Sequence, residues 1–326
     1  MPIVPTIDLT RVNTHALAQI DAACRDHGFF KLIGHGLNDQ IDEVLAQAQV
    51  FFAAPRNVKN EVRRGEGDAF GYFDQEITKK KRDLKEVFDY HAKAPSSGAF
   101  GDRSKPKFWL SNDRNRLEEY GLSDFEGTLK KFYRSQTELA KTVMALLCRA
   151  MGEDPNRLDD IYGDRHTSLA RLNYYPAEDP IPKSERESVA ELGELALGEH
   201  TDPNGVTLLY QDNAGGLQAH SSQEGWIDVP PEKHSFVINV GDIMQAWSND
   251  RYKAAKHRVL KVPKDSSRIS FPFFYMPRSG AVIKPIISGE QPRYRDIDWR
   301  EFANARVADN YEVVEGEEMQ LTDYRI

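Results

Sequence analysis

The chain has 326 residues, 40% of them hydrophobic and 29% charged, which is the make-up of a globular, enzyme-sized protein and not of a collagen-like, low-complexity or wholly disordered one. Lys and Arg number 43 against 51 Asp and Glu, a net charge of −8. No basic stripe interrupts this acidic balance, so no nucleic acid is expected as a partner.

In chain order, Ile7-Asp8-Leu9 reads as a short strand. From His15 to Gly28, Leu17, Ile20, Ala23 and Cys24 fall at helical spacing, and Gly28 ends the helix. Phe29 to Ile33 is a strand entering the turn Gly34-His35-Gly36. Ile41, Val44, Leu45, Ala48, Phe51 and Phe52 form the stripe of a second helix that Pro55 stops. After the loop Pro95-Ser96-Ser97-Gly98, a long helix begins near Ser123-Asp124. Its one-sided apolar face, from Leu129 to Leu147, calls for a sheet to pack on. Cys148 near its end and Cys24 are the only cysteines and read as free core thiols of a reducing compartment. The stretch Val143 to Met151 is the longest apolar helical run, and Arg149 breaks it well short of the roughly 20 residues of a membrane span. No secretory signal is read at the start of the chain.

From about Arg165 the pattern changes to short β-rich runs: Ala170–Tyr175, Val206–Tyr210, Gly216–His220, Phe236–Val240, His257–Val262 and Ile269–Tyr275. Turns are expected between them, among others at Asp202-Pro203-Asn204-Gly205 and Gly241-Asp242. Many short strands at near-regular spacing indicate a sandwich or barrel. The expected division is 1–120, an N-terminal α/β region; 121–164, a scaffold helix; 165–280, a β core; and 281–326, a short helix near Trp299 and a polar tail.

The chemistry concentrates in His200-Thr201-Asp202 with His257. Side chains two apart on a strand share a face, so His200 and Asp202 can hold one ion, and His257 starts another strand-like run. Two imidazoles and a carboxylate form the facial triad of non-haem Fe(II) and O2 chemistry. Alone, the tripeptide is weak evidence and reads more readily as a surface turn. Arg268-Ile269-Ser270 adds a guanidinium fork and a hydroxyl on one face of the next run, which suits a carboxylate.

These residues resemble the core of the Fe(II)/2-oxoglutarate-dependent oxygenases, with the isopenicillin-N-synthase-like branch as the nearest. The matching text includes His200-Thr201-Asp202-Pro203, Thr207 to Asp212, Gly215-Gly216-Leu217-Gln218, Phe236 to Asp242, His257-Arg258-Val259, Arg268-Ile269-Ser270 and Asn173-Tyr174-Tyr175-Pro176. Upstream, Pro5 to Leu9, Gly28-Phe29-Phe30 and Gly34-His35-Gly36 match as well. The resemblance implies a mostly β fold with flanking helices around a double-stranded β-helix, or jelly roll. It implies His200, Asp202 and His257 as ligands of Fe(II). Arg268 and Ser270 would hold the distal carboxylate of the co-substrate 2-oxoglutarate, assisted by Tyr175 and Asn173. The implied reaction consumes O2, releases succinate and CO2, and hydroxylates, desaturates or cyclises a small organic molecule. Two alternatives stay open: an oxidase that needs no 2-oxoglutarate, as isopenicillin N synthase is, and a non-catalytic jelly-roll binding protein.

For the substrate pocket, Phe274 continues the parity of Arg268 and Ser270, and Arg171 that of Asn173 and Tyr175. Arg171 would favour an anionic substrate, unless it is an external strand charge. His91, in a loop-like stretch, is a further candidate, and Phe73, Phe88, Tyr90 and Trp109 are placed where they could cover the barrel mouth. His35 reads as a structural turn or core residue, and His15, His27, His166, His220 and His234 as surface or loop residues. The expected protein is cytoplasmic, a monomer or weak homo-oligomer, with a small-molecule substrate and neither membrane nor nucleic acid as partner.

Overall fold

In the computed structural model, residues 3–65, 70–92, 118–308 and 319–326 are described. The loop Pro95 to Gly98 and Trp109 lie outside them. Fourteen strands frame the site: β1 (Thr6–Asp8), β2 (Phe29–Ile33), β3 (Gly71–Phe73), β4 (Ile77–Thr78), β5 (Lys81–Arg82), β6 (Glu86–Tyr90), β7 (Leu169–Pro176), β8 (Leu197–His200), β9 (Val206–Gln211), β10 (Leu217–Ser221), β11 (Gly225–Asp228), β12 (Phe236–Val240), β13 (His257–Val259) and β14 (Ser267–Tyr275). An eight-stranded sheet runs β1-β2-β12-β9-β14-β7-β6-β3, and a four-stranded sheet runs β11-β10-β13-β8. Strands of the first hundred residues therefore extend the large sheet at both edges. Every pairing within these two sheets is antiparallel except β1 with β2.

Alternation along each strand separates two cores. On β14, Ile269, Phe271, Phe273 and Tyr275 join the larger core, together with Val206, Leu208 and Tyr210 of β9 and Phe236, Ile238 and Val240 of β12. The helices Thr14–Asp26, Asn38–Ala53 and Phe125–Met151 supply the other side of that core. The long helix lies on the sheet, with Phe132 edge-on to Phe271 at 5.7 Å and Tyr133 edge-on to Phe273 at 5.2 Å. The opposite face packs into a smaller core that includes Phe29, Tyr175, Leu209 and Val237 from the large sheet and Leu217, Ala219, Ile227 and Val259 from the small one. Two antiparallel sheets closed over such a core make the jelly roll. Gly28 is obligatory at the passage from helix to β2: its φ is +73° and a Cβ would lie 2.5 Å from the carbonyl oxygen of Lys253.

The structure departs from the sequence reading in several places. His91 directly follows strand β6, so the stretch before it is a strand and not a loop. Phe88 and Tyr90 do not cover the barrel mouth: they are buried in the helix-side core, where Phe88 lies 5.0 Å from Phe51 and Tyr90 lies 6.5 Å from Tyr133. Phe73 sits under the guanidinium of Arg64 at 3.6 Å. His27 is 2% exposed and not a surface residue, because it satisfies the backbone where the helix hands over to β2. Its Nε2 donates to the carbonyl of Ile3 at 3.0 Å, and its Nδ1 accepts from the Phe29 amide at 3.1 Å. After Gly241 the chain forms the helix Asp242–Trp247 instead of a plain turn. Cys24 and Cys148 are free and buried, as expected.

Candidate active site

β8 and β13 bring two imidazoles together by register, since His257 pairs directly with His200 across the small sheet. Asp202 follows two residues after His200, on the turn into β9. The three side chains offer ligand atoms that all lie within 4.8 Å of one another. His200 Nε2 is 3.6 Å and His257 Nε2 3.9 Å from Asp202 Oδ1.

Surrounding groups leave one ligand atom free on each residue. His200 Nδ1 lies 2.9 Å from the carbonyl of Gly198, and His257 Nδ1 lies 2.8 Å from that of Ala255. A carbonyl only accepts, so each Nδ1 carries the proton and each Nε2 keeps its lone pair for a metal. Asp202 Oδ2 accepts from Thr207 Oγ1 at 2.6 Å and from Asn239 Nδ2 at 2.8 Å, which leaves Oδ1 facing the imidazoles. Burial, with the neighbouring His257, pushes His200 down to about 3, so protons do not compete for it at neutral pH. Burial raises Asp202, but the two imidazoles, Thr207 and Asn239 outweigh it and hold the carboxyl below its ordinary value. The site thus combines one carboxylate oxygen with two imidazole nitrogens, a set that suits a divalent first-row ion.

Facing the triad from β14 and β7 of the large sheet is a buried cation. Arg268 is 1% exposed, with Nη1 donating to Ser270 Oγ at 3.0 Å and Nη2 to Gln211 Oε1 at 3.2 Å. Its guanidinium lies 4.8 Å from the centre of the Tyr175 ring. Asn173 Nδ2 reaches Ser270 Oγ at 3.5 Å, and its Oδ1 has no hydrogen-bond partner among the described residues. Among the described residues Arg268 forms no ion pair, and its Nε is unsatisfied. A buried cation of this kind is costly unless a carboxylate arrives to meet it.

One cavity joins these parts. It encloses about 490 Å³, open solvent included, and is lined by the triad, Asn173, Tyr175, Arg268, Ser270, Arg171 and Phe274. The strand parity of Phe274 and Arg171 thus points them into the cavity. Arg171 arrives there already engaged. Its Nε and Nη2 bind Asp89 at 2.6 and 2.8 Å, and Nη1 and Nη2 bind Glu76 at 2.8 Å each. An acidic substrate therefore meets no free guanidinium there, contrary to the simple reading of Arg171 from sequence. His91 is not among the lining residues; it packs edge-on to Phe70 at 4.5 Å.

Sequence reasoning assigned no role to Lys85, Thr207, Gln211 or Asn239. The last three stood in the matched text, but only the folded chain shows that Thr207 and Asn239 orient Asp202. Lys85 lines the cavity with Nζ 2.9 Å from Glu76 and 3.2 Å from Asp83. Burial opposes its charge, but these two carboxylates outweigh that and keep the ammonium protonated.

Residues 166–277 match the 2OG-Fe(II) oxygenase superfamily, and residues 4–112 match the non-haem dioxygenase in morphine synthesis N-terminal family. Gibberellin 2-beta-dioxygenase 1 of Arabidopsis thaliana is 31% identical, the alignment covering 94% of this chain and 91% of that one. A full-length Neurospora crassa protein solved with alpha-KG and thymine superimposes with a TM-score of 0.75 at 25% identity, covering 94% of this chain and 96% of the other. JOX2, solved with 2OG, Fe and JA, superimposes with a TM-score of 0.72 at 27% identity, covering 92% and 85%. A triad with three free ligand atoms, a buried cation awaiting a carboxylate and these relatives lead to one conclusion: the chain belongs to the 2OG-Fe(II) oxygenase superfamily and is an Fe(II)- and 2-oxoglutarate-dependent dioxygenase.

Proposed function

We propose that His200, Asp202 and His257 hold the ferrous ion, and that Arg268 and Ser270, with Tyr175 and Asn173, seat 2-oxoglutarate. The observation that carries this division of labour is Arg268, a buried cation with no ion pair among the described residues, across one cavity from three free ligand atoms. When bound, the iron supplies the O2 chemistry that couples decarboxylation of 2-oxoglutarate to oxidation of a C–H bond. The chain's own residues supply position. Gly198 and Ala255 fix the imidazole tautomers, Thr207 and Asn239 aim one Asp202 oxygen, and Ser270 and Gln211 hold the guanidinium fork open.

For the prime substrate we propose a small organic molecule whose hydrocarbon part rests on Phe274, Pro272 and Leu209 beside the metal. The Arabidopsis relative is named a gibberellin 2-beta-dioxygenase, and the two solved neighbours hold thymine or JA, so these relatives span both acids and neutral rings. The engaged state of Arg171 and Lys85 favours a neutral, oxygen-bearing group on that side of the cavity. Whether this substrate is hydroxylated, desaturated or cyclised is set by its pose. We further propose a cytoplasmic enzyme, a monomer or weak homo-oligomer, without a nucleic-acid partner. The acidic charge and the two free thiols support this, and no helix among the described residues is long and apolar enough to cross a membrane.

The test is succinate release in the presence of Fe(II), 2-oxoglutarate and a metabolite library. Wild type is expected to release succinate in step with substrate oxidation, while His257→Ala, left with two ligands, falls to background and still folds. Substrate-dependent O2 uptake without succinate would instead favour an oxidase.

A further inference from the structure

The turn between His200 and Asp202 is gripped from outside the cavity by a residue a hundred positions further on. Arg306 lies on the helix Trp299–Ala308 and is 6% exposed. Its Nη2 donates to the carbonyl oxygen of Thr201 at 3.1 Å and to Thr201 Oγ1 at 3.3 Å. The same nitrogen is 3.4 Å from Asp242 Oδ2, and Nη1 reaches the carbonyl of Met319 at 3.2 Å. Asp242 closes the ring: its backbone N–H donates to the carbonyl of Asp202 at 2.8 Å. The two carbonyls on either side of the Asp202 backbone are thus taken by two residues of opposite charge that also pair with each other. Gly241 permits the approach, since a Cβ there would lie 2.7 Å from the carbonyl oxygen of Asp202. Neither Arg306 nor Asp242 lines the cavity.

Packing alone does not call for this arrangement. The helix is already docked by Trp299, Phe302 and Ala303, each at most 1% exposed. A buried ion pair commonly stabilises no more than well-packed apolar side chains of the same volume. Geometry does call for it, because metal ligands must hold their places to within a few tenths of an ångström, and groups outside the coordination sphere set those places.

We propose that Arg306 is a positioning residue of the iron site: by fixing the Thr201–Asp202 peptide it sets the affinity for Fe(II), and so ties the C-terminal helix to the metal. The proposal rests on the reading that His200, Asp202 and His257 hold the ion. Anaerobic equilibrium dialysis of Fe(II) against the full-length metal-free protein tests it, with thermal unfolding followed in parallel. Arg306→Met is expected to weaken Fe(II) binding about 10- to 100-fold. Arg306→Lys, which keeps the charge but loses the fork, should fall between it and wild type. Phe302→Ala, which loosens the same helix and leaves the guanidinium in place, should lower the melting temperature and keep iron affinity near the wild-type value. Unchanged affinity in Arg306→Met, or an equal loss in Phe302→Ala, overturns the proposal. If Arg306→Met does not fold, Arg306→Lys against Phe302→Ala is decided by the same two outcomes. His257→Ala separates this from the parent reading: wild-type iron binding in that variant would sink the ligand assignment itself, whatever Arg306 does.

Discussion

At Arg268 a single side chain determines what the pocket is built to receive. Its donors meet a hydroxyl and an amide oxygen, both neutral, while burial has stripped it of water. The free enzyme carries that cost, and a bound carboxylate relieves it. Arg268→Ala should therefore weaken 2-oxoglutarate binding by about 2–5 kcal/mol, the usual loss for truncating a buried charged hydrogen-bond partner. Ser270→Ala removes one neutral donor and should lose about 0.5–1.5 kcal/mol. Anaerobic calorimetry on the metal-loaded protein reads both; equal affinity in wild type and Arg268→Ala would place the co-substrate elsewhere.

Among the elements, β14 shows how one strand serves two purposes. Phe271 and Phe274 are the same residue type three positions apart, yet Phe271 is buried under Phe132 and Tyr210, and Phe274 lines the cavity. Phe271→Ala should destabilise the fold by about 3–5 kcal/mol. Phe274→Ala should unfold close to wild type but lower the ratio of oxidised product to succinate, because the substrate is held less closely to the reacting centre. Urea melts and product counting separate the two effects, and a reversal would mean that the strand's parity is misread. That parity was legible in the sequence, as were β2, β12 and the long helix, because a period of two or of 3.6 survives in the residues themselves. β11 was not, being four residues long and without a run of apolar residues to mark it, and β8 was read only as the strand end that carries His200. The helix after Gly241 was missed because Gly-Asp is turn chemistry, whereas here the Gly is needed for close approach to Asn204 and Asp202. The triad was readable only once Arg268-Ile269-Ser270 and the family resemblance joined H-x-D and a later His. Its orienting partners Thr207 and Asn239 were not: one reaches back over the turn from β9, and the other comes from the neighbouring strand β12.

Across the whole molecule, the first hundred residues are joined to the jelly roll by a buried charge network that no sequence pattern announced. Glu76, Asp83 and Lys85 flank the short strands β4 and β5, Asp89 sits on β6 and Arg171 on β7, and all but Arg171 are less than 5% exposed. Burial raises Glu76, yet Arg171, Lys85 and Arg64 together outweigh it and hold its carboxyl well below the ordinary range. For Asp89 burial wins over the same guanidinium, and its carboxyl is raised. Glu76 thus lends stability above its unfolded pKa, lost only as pH falls through its depressed folded value; Asp89 lends stability below its unfolded pKa, lost as pH rises through its raised one. Arg171→Met takes from both carboxylates their closest guanidinium, leaving Glu76 to Lys85 and Arg64 and Asp89 to Arg64, and should lower stability by about 3–5 kcal/mol at pH 8. Without the guanidinium both folded pKa values move up, so both carboxyls take up protons more readily in the folded variant than in the folded wild type. The deficit should therefore shrink as pH falls towards 5, whereas an ordinary packing defect would persist unchanged. Urea unfolding of wild type and variant at the two pH values reads the difference directly. A deficit of equal size at both would show that Arg171 acts on this wall through its contact with Phe274 and not through the carboxylates it binds.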